Sequence, residues 1–237
     1  MADEKKLVII PAYNEEACIA ATVREIREKA PGFEVLVVND ASTDRTGEIL
    51  RQEHIPHVTL PVNLGIGGAV QTGYRYAAAH GYDAAVQLDG DGQHDPEDLP
   101  RLYEALVSEN ADLAIGSRFI EKEGFQSSAA RRAGIRFFTF WIRLMTGRTI
   151  KDPTSGYRMA GRRALLAFAE DYAQDYPEPE STAGLLCMGG KVTEIPVRMR
   201  PRAGGESSIG MRQAFYYMIK VSLAILIECI RKRGKTL

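Results

Sequence analysis

The chain has 237 residues, 45% of them hydrophobic and 26% charged, with a net charge of −1. That length supports a substantial core and fits one α/β domain, and the balanced charge gives no general bias toward nucleic acid. Cys18, Cys187 and Cys229 lie far apart without metal-ligand spacing, which predicts a reducing compartment and excludes a disulfide framework.

Met1 to Lys6 run straight into a strand, which predicts no signal peptide. Leu7-Val8-Ile9-Ile10 reads as a buried strand and Glu15 to Ala30 as a helix. Glu34 to Val38 is a second strand, ending in Asn39-Asp40-Ala41-Ser42-Thr43-Asp44, a run of helix-capping residues. The helix after it reaches about His54, and a short strand lies near His57 to Leu60. Asn63 to Gly68 is a glycine-rich loop that opens a helix ending near His80. A strand from Ala84 to Leu88, a helix from Pro96 to Ser108 and a strand from Asp112 to Ile115 follow. This alternation predicts a mainly parallel, doubly wound sheet. Beyond Ser117 the pattern is irregular. It holds a helix from about Ala130 to Met145, two shorter helical stretches, a strand near Lys191 to Val197 and a long apolar helix from Ile209 to Arg233.

Asp89-Gly90-Asp91-Gly92-Gln93-His94 follows the Ala84 to Leu88 strand. Its carboxylates therefore sit at the C-terminal tip of a strand, the edge where open α/β sheets bind ligands. Two carboxylates in one crevice repel unless a cation lies between them. A hard divalent ion, Mg²⁺ or Mn²⁺, shared with substrate phosphates answers that requirement. An Asp/Gly turn capping the helix near Pro96 is the alternative. Pro11 to Glu16, Asn39-Asp40 and Gly116-Ser117-Arg118 place further polar clusters at strand ends. Each alone also reads as a cap or turn; in a doubly wound sheet all face one crevice. Gly65, Gly67 and Gly68 open a helix whose N-terminus favours an anion, or they serve close packing.

In combination these motifs resemble the family 2 glycosyltransferases of the GT-A fold. The residues that carry the resemblance are Ile10-Pro11-Ala12-Tyr13-Asn14-Glu15-Glu16, Val38-Asn39-Asp40-Ala41-Ser42-Thr43-Asp44, Asn63-Leu64-Gly65, Asp89 to Glu97 and Gly116-Ser117-Arg118. Asp152-Pro153-Thr154-Ser155-Gly156-Tyr157-Arg158 and Arg202 to Ser208 point within that family to dolichyl-phosphate mannose synthases and bacterial polyprenyl-phosphate glycosyltransferases. The resemblance implies a catalytic domain over residues 1–207, with a nucleotide-sugar half to about 118 and an acceptor half from 119. An apolar helix and basic tail follow over 208–237. It implies that Pro11, Ala12, Tyr13 and Glu15 line a nucleoside pocket and that Asp40 accepts a hydrogen bond from the base. UDP is favoured over GDP. Asp89, Gly90 and Asp91 would meet the diphosphate, with Asp89 and Asp91 holding the metal and Gln93 as a third ligand. Asp91, Arg118 and Arg131 would be the catalytic residues.

The acceptor decides whether a base is needed. A sugar hydroxyl requires one within hydrogen-bond reach. A phosphate is already an oxyanion, and catalysis reduces to positioning and leaving-group stabilisation. Arg118, Arg131, Arg132, Arg158 and Arg202, with Ser155, are the expected contacts of an anionic acceptor, a polyprenyl phosphate. Glu178 and Glu180 are the candidate bases for the alternative, a hydroxyl of a lipid-linked saccharide; they also read as dipole charges at a helix N-terminus. A non-catalytic nucleotide-sugar-binding recruiter is a third reading, opposed by the intact Asp89 and Asp91.

A wheel at 100° per residue puts Arg132, Arg136 and Arg143 on one face of the helix near 130–145, and Phe137, Phe138, Trp141, Leu144 and Met145 on the other. This predicts an interfacial helix, with core packing as the alternative. The last apolar stretch, Ala214 to Ile230, is interrupted by Lys220 and Glu228 and is short for a span. Arg231, Lys232, Arg233 and Lys235 after it suit anionic headgroups. These features predict a peripheral protein on the cytoplasmic face of a membrane. A small membrane-protein partner or a homo-oligomer is compatible with it.

Overall fold

The computed structural model describes residues 4–121, 129–200 and 211–237; for 129–131 and 211–216 it describes the helical backbone and not the side chains. Seven strands form one sheet: β1 (Lys6–Ala12), β2 (Glu34–Asn39), β3 (His57–Thr59), β4 (Ala84–Gln87), β5 (Leu113–Ser117), β6 (Arg158–Gly161) and β7 (Val192–Pro196). Their order is β3-β2-β1-β4-β6-β5-β7. The helices are α1 (Ile19–Lys29), α2 (Thr46–Gln52), α3 (Gly65–Ala79), α4 (Leu99–Ser108), α5 (Ala129–Thr146), α6 (Arg162–Glu170), α7 (Pro177–Cys187) and α8 (Met211–Lys232).

Both faces of the sheet are covered, which is why its strands read as continuous apolar runs. Leu7, Ile9, Leu36 and Val38 point into one core layer with α3 and α5 to α8. Val8, Ile10, Val35 and Val37 point into the other with α1, α2 and α4. The chain winds outward from β1 to β3, and α3 carries it back to β4 on the far side of β1. The winding therefore reverses between β1 and β4. Strand ends splay at such a reversal and leave a crevice at their C-terminal edge.

β6 is the element missing from the sequence reading. It runs antiparallel to β4 and β5, while all other pairings are parallel. Its four residues, Arg158-Met159-Ala160-Gly161, are too few to show a period. Because it runs backwards, it delivers the preceding Asp152 to Tyr157 turn to the crevice edge of β4. Other boundaries shift locally. α1 starts at Ile19 rather than Glu15, because Asn14 is left-handed at φ 57° and Glu15 to Cys18 form a turn.

The interfacial reading of α5 is corrected. Phe138 and Ile142 are buried, Phe137 and Trp141 pack against the same core, and the Trp141 indole N–H donates to the Ser222 carbonyl at 3.0 Å. The aromatic side of α5 thus faces α7 and α8. α8 docks on the domain through Val221, Ile225 and Cys229, while Ile219, Leu223, Ile227 and Ile230 stand exposed on its opposite side. The basic tail is also partly used. Lys232 is buried and, with Arg231, pairs with Asp171. Among the described residues no helix is long and apolar enough to cross a membrane.

Candidate active site

Pro11 and Ala12 end β1 and are buried at the crevice; Tyr13 is exposed beyond them and Glu15 is half-buried. This loop is clipped to the one after β2. Asn14 Oδ1 accepts from the Thr43 and Asp44 N–H groups at 2.8 and 3.3 Å. Ser42 Oγ accepts from the Asn14 N–H at 3.0 Å, and Thr46 Oγ1 from the Glu15 N–H at 2.8 Å. The capping residues after β2 therefore hold two loops in one arrangement.

Asp40, the expected base contact, also caps a helix. It is buried, and its two oxygens accept from the Leu64 and Gly65 N–H groups at 2.7 and 2.9 Å. The carboxylate itself is the anion at the N-terminus of α3. The glycines behind it serve packing: a Cβ on Gly67 would stand 2.4 Å from the carbonyl oxygens of Ala173 and Gln174.

Asp89 is half-buried and Asp91 buried just beyond β4. The loop turns at Gly92, φ 72°, and Asp91 Oδ1 accepts from the Gln93 N–H at 3.1 Å. Thr22 on α1 donates to the Gly90 carbonyl at 3.1 Å and seats the loop. Three groups without assigned roles in the sequence reading frame Asp89. Gln87 Nε2 lies 3.4 Å from its Oδ1. His94 Nδ1 accepts from its N–H at 3.2 Å. Gly156 leaves the space a Cβ would fill, 3.2 Å from its Oδ2. The signals were present: a glutamine in a buried apolar strand, and a glycine inside the Asp152 to Arg158 motif.

His94 is fully enclosed and stacks on Tyr157 at 4.7 Å; burial pushes its pKa below the usual histidine value. The Tyr157 hydroxyl donates to the Asp95 carbonyl at 2.9 Å. Arg200 donates its N–H to the Gln93 carbonyl at 2.9 Å, and its guanidinium bridges Glu25 and Asp95. The loop is thus braced from α1, β6 and the segment after β7.

Two carboxylates and the nearby Gln93 amide are hard oxygen donors, a set that fits Mg²⁺ or Mn²⁺. Among the described residues, no three His, Cys, Asp or Glu side chains form a metal cage. An ion held here would take its remaining oxygens from water and a ligand.

The expected acceptor residues divide. Arg118 is buried and forms a bidentate pair with Asp152, both contacts 2.7 Å, tying the end of β5 to the Asp152 turn. Ser155 is buried and donates to the Gly116 carbonyl at 2.7 Å. Arg158 is 0% exposed. It donates to the carbonyls of Pro153, Ser155 and Glu178 and to Ser181 and Thr182. The expectation that Ser155 and Arg158 face an acceptor is therefore corrected: both are internal struts. Arg132 is half-buried on α5. Arg202 and the side chain of Arg131 lie outside the described residues.

The two candidate bases also separate. Glu178 accepts from Gln87 and lies near Asp89, and burial pushes its carboxyl up. Glu180 faces α8 instead; burial, then the Glu228 charge, push its carboxyl up to about 7.

The family model for glycosyl transferase family 2 matches residues 7–167. The chain is 33% identical, over 96% of its length, to the undecaprenyl-phosphate mannosyltransferase of Micrococcus luteus, 98% of which is covered. It is 32% identical, over 92%, to the polyprenol monophosphomannose synthase of Mycolicibacterium smegmatis, 86% of which is covered. Among solved structures, glucosyl-3-phosphoglycerate synthase from Mycobacterium tuberculosis, in complex with Mn²⁺, UDP-glucose and phosphoglyceric acid, gives a TM-score of 0.70 at 20% identity, covering 95% of this chain and 80% of that one. A mannosyltransferase from Pyrobaculum calidifontis with GDP-mannose and Mn²⁺ gives 0.66 at 18% identity, covering 98% and 66%. The structural likeness shows the fold, the GT-A arrangement that the motifs led us to expect.

Proposed function

This chain belongs to glycosyl transferase family 2, and we propose that within it the protein moves a sugar from a nucleoside diphosphate sugar to a membrane polyprenyl phosphate. The observation that carries this reading is the near full-length similarity to the two polyprenyl-phosphate enzymes, combined with Asp89 and Asp91 at the β1/β4 reversal. An acceptor phosphate oxygen attacks the anomeric carbon as the bond to the nucleoside diphosphate breaks, with inversion. Asp89 and Asp91, with Gln93, would hold Mg²⁺ or Mn²⁺, which when bound neutralises charge on the leaving diphosphate. Tyr13, Glu15 and the end of β1 form the donor side of the crevice. The base is uracil by preference, on resemblance, with guanine as the competing donor. Arg131, Arg132 and Arg202 take the acceptor phosphate, and Arg118 shapes the loop beside it.

Membrane association is peripheral and cytoplasmic in this reading. It rests on the outer side of α8, where Ile219, Leu223, Ile227 and Ile230 are exposed, together with Phe140 and Leu144 on α5. Exposed Arg136, Arg143, Arg233 and Lys235 supply charges that suit anionic lipid. A hydroxyl acceptor is the second reading. Its base would be Glu178, because that carboxyl, and not Glu180, neighbours Asp89.

Incubation with a panel of UDP- and GDP-sugars, Mg²⁺ or Mn²⁺ and a short-chain polyprenyl phosphate, followed by mass spectrometry of the lipid fraction, tests the proposal. A glycosylated lipid phosphate is the expected product. Donor turnover onto saccharide hydroxyls with none onto the lipid phosphate would overturn it.

A further inference from the structure

We propose that Arg200 is a positioning residue for the carboxylate loop: by clamping Gln93 and Asp95 to α1, it sets how tightly the loop takes a divalent cation. The inference rests on the metal-dependent donor site proposed above and assigns a role to a side chain outside the ligand set.

The two halves of the loop are held differently. Asp89 and Gly90 follow β4 closely, and Thr22 on α1 holds the Gly90 carbonyl at 3.1 Å. The backbone turns at Gly92, φ 72°, so Gln93 to Asp95 leave the sheet and need anchors of their own. Inside the loop, Asp91 Oδ1 accepts from the Gln93 N–H at 3.1 Å. From outside, the Arg200 N–H donates to the Gln93 carbonyl at 2.9 Å, and Met199 forms an antiparallel bridge with His94. Pro201 follows Arg200 in the sequence. The residue before a proline is biased to extended backbone, as such a bridge requires.

The Arg200 side chain extends the same contact to α1. Its Nη2 lies 2.6 Å from Asp95 Oδ2, and its Nη1 donates to both oxygens of Glu25 at 2.8 and 3.0 Å. Glu25 belongs to a polar stripe on α1, Thr22, Glu25 and Lys29, spaced i, i+3, i+7 along one helix face. Lys29 meets Glu25, Asp95 and Glu97 at 3.1, 3.3 and 2.8 Å. Two cations thus stand among three carboxylates. Without Arg200 a single ammonium faces all three, and repulsion between Glu25 and Asp95 loosens the loop from α1. Outer partners of metal ligands typically change metal affinity 10- to 100-fold. The Arg200 side chain is 35% exposed. Water and salt screen such a pair, which puts the expected effect at about tenfold, the lower end of that range.

Two measurements test this. The backbone N–H survives substitution, so side-chain variants isolate the clamp. Calorimetric titration of Mn²⁺ into protein saturated with UDP or GDP should show affinity about tenfold lower in Arg200→Met. Arg200→Lys, which keeps a cation, should recover part of it, and metal-free nucleotide binding should stay near wild type in both. Glu25→Ala should reproduce the loss. The double variant should fall no further than Arg200→Met alone, because both changes cut one clamp. The second readout is amide exchange of metal-free protein, followed by mass spectrometry. Exchange should quicken in Arg200→Met across Asp89 to Asp95 and stay unchanged in β1 and β2. Wild-type Mn²⁺ affinity in Arg200→Met, or additive losses in the double variant, overturns the proposal. Faster exchange throughout the sheet overturns it too, since the residue would then act on overall stability. Absence of Mn²⁺-dependent nucleotide binding in wild type itself would sink the donor-site reading, while the exchange result still reports on the clamp.

Discussion

Replacing Arg158 by leucine tests whether this arginine supports the site from inside or meets the acceptor. Ser155 O accepts from its Nε at 3.0 Å and from its Nη2 at 2.9 Å, and Pro153 O accepts from Nη2 at 3.4 Å. These carbonyls lose those donors in the variant. Ser181 and Thr182 keep hydroxyl bonds to the carbonyls of Pro177 and Glu178 and suffer less. At about 1–3 kcal/mol for each orphaned buried acceptor, the two carbonyls together cost about 4 kcal/mol. That is a large part of the roughly 5–15 kcal/mol by which domains are stable. At about 2–4 °C per kcal/mol for a chain this long, melting should fall by about 8–16 °C. Arg158→Lys should recover part of the loss. Circular dichroism and the single tryptophan, Trp141 on α5, report the transition; nucleotide binding is measured in parallel below it. If Arg158→Leu melts within about 2 °C of wild type yet loses lipid transfer alone, the strut assignment is wrong.

Asp89→Ala or Asp91→Ala should lower turnover at least about a hundredfold, the scale for losing a key electrostatic stabiliser, and abolish metal dependence of nucleotide binding; a chelator without effect on wild type would contradict the site. Glu180, with its carboxyl raised to about 7 by burial and by Glu228, keeps its proton in the folded chain over a range where the unfolded chain has lost it. Stability from this group therefore falls as pH rises from the ordinary carboxyl range through about 7. Glu180→Gln should raise the melting temperature at pH 8, leave it unchanged near pH 4, and keep most transferase activity; lost transfer with intact donor binding in Glu178→Gln would move the hydroxyl reading forward. Leu223→Glu with Ile227→Glu should weaken binding to anionic liposomes and spare nucleotide binding. Unchanged liposome binding would place the membrane surface elsewhere.

The donor half was legible because its chemistry sits in contiguous motifs at strand ends. Pro11 to Glu16 and Asp89 to His94 fell at one crevice as soon as the strand order reversed between β1 and β4. Ambiguity arose where one residue type serves two purposes. Asp40 reads as a base contact from its motif; an aspartate beside a helix start is also a cap, and the Leu64 and Gly65 N–H groups donate to it. Arg158 reads as an anion-binding cation because sequence does not report burial, and its strand is too short to announce itself. The aromatic side of α5 has the same pattern whether its partner is lipid or α8. The burial of Phe138 and Ile142 and the Trp141 bond to Ser222 decide between them.

Under the proposed reading, the buried arginines leave acceptor recognition to other cations. A phosphate acceptor needs cations in place of a base, and Arg118 and Arg158 are committed to Asp152 and to internal carbonyls. Their contribution is rigidity. They fix the Asp152 to Tyr157 turn, which lies under Asp89 through Gly156 and under His94 through Tyr157. Arg200 pins the start of the segment that leads to Arg202 against the Gln93 carbonyl and Asp95. β5 and β7 are parallel, so both chain segments toward Arg131 and Arg202 depart from the edge that carries the two carboxylates. The division of labour follows from charge. Asp152 neutralises Arg118, and neutral carbonyls and hydroxyls take up the donors of Arg158, so the cations proposed for the acceptor belong on segments that leave the sheet edge beside the proposed donor crevice.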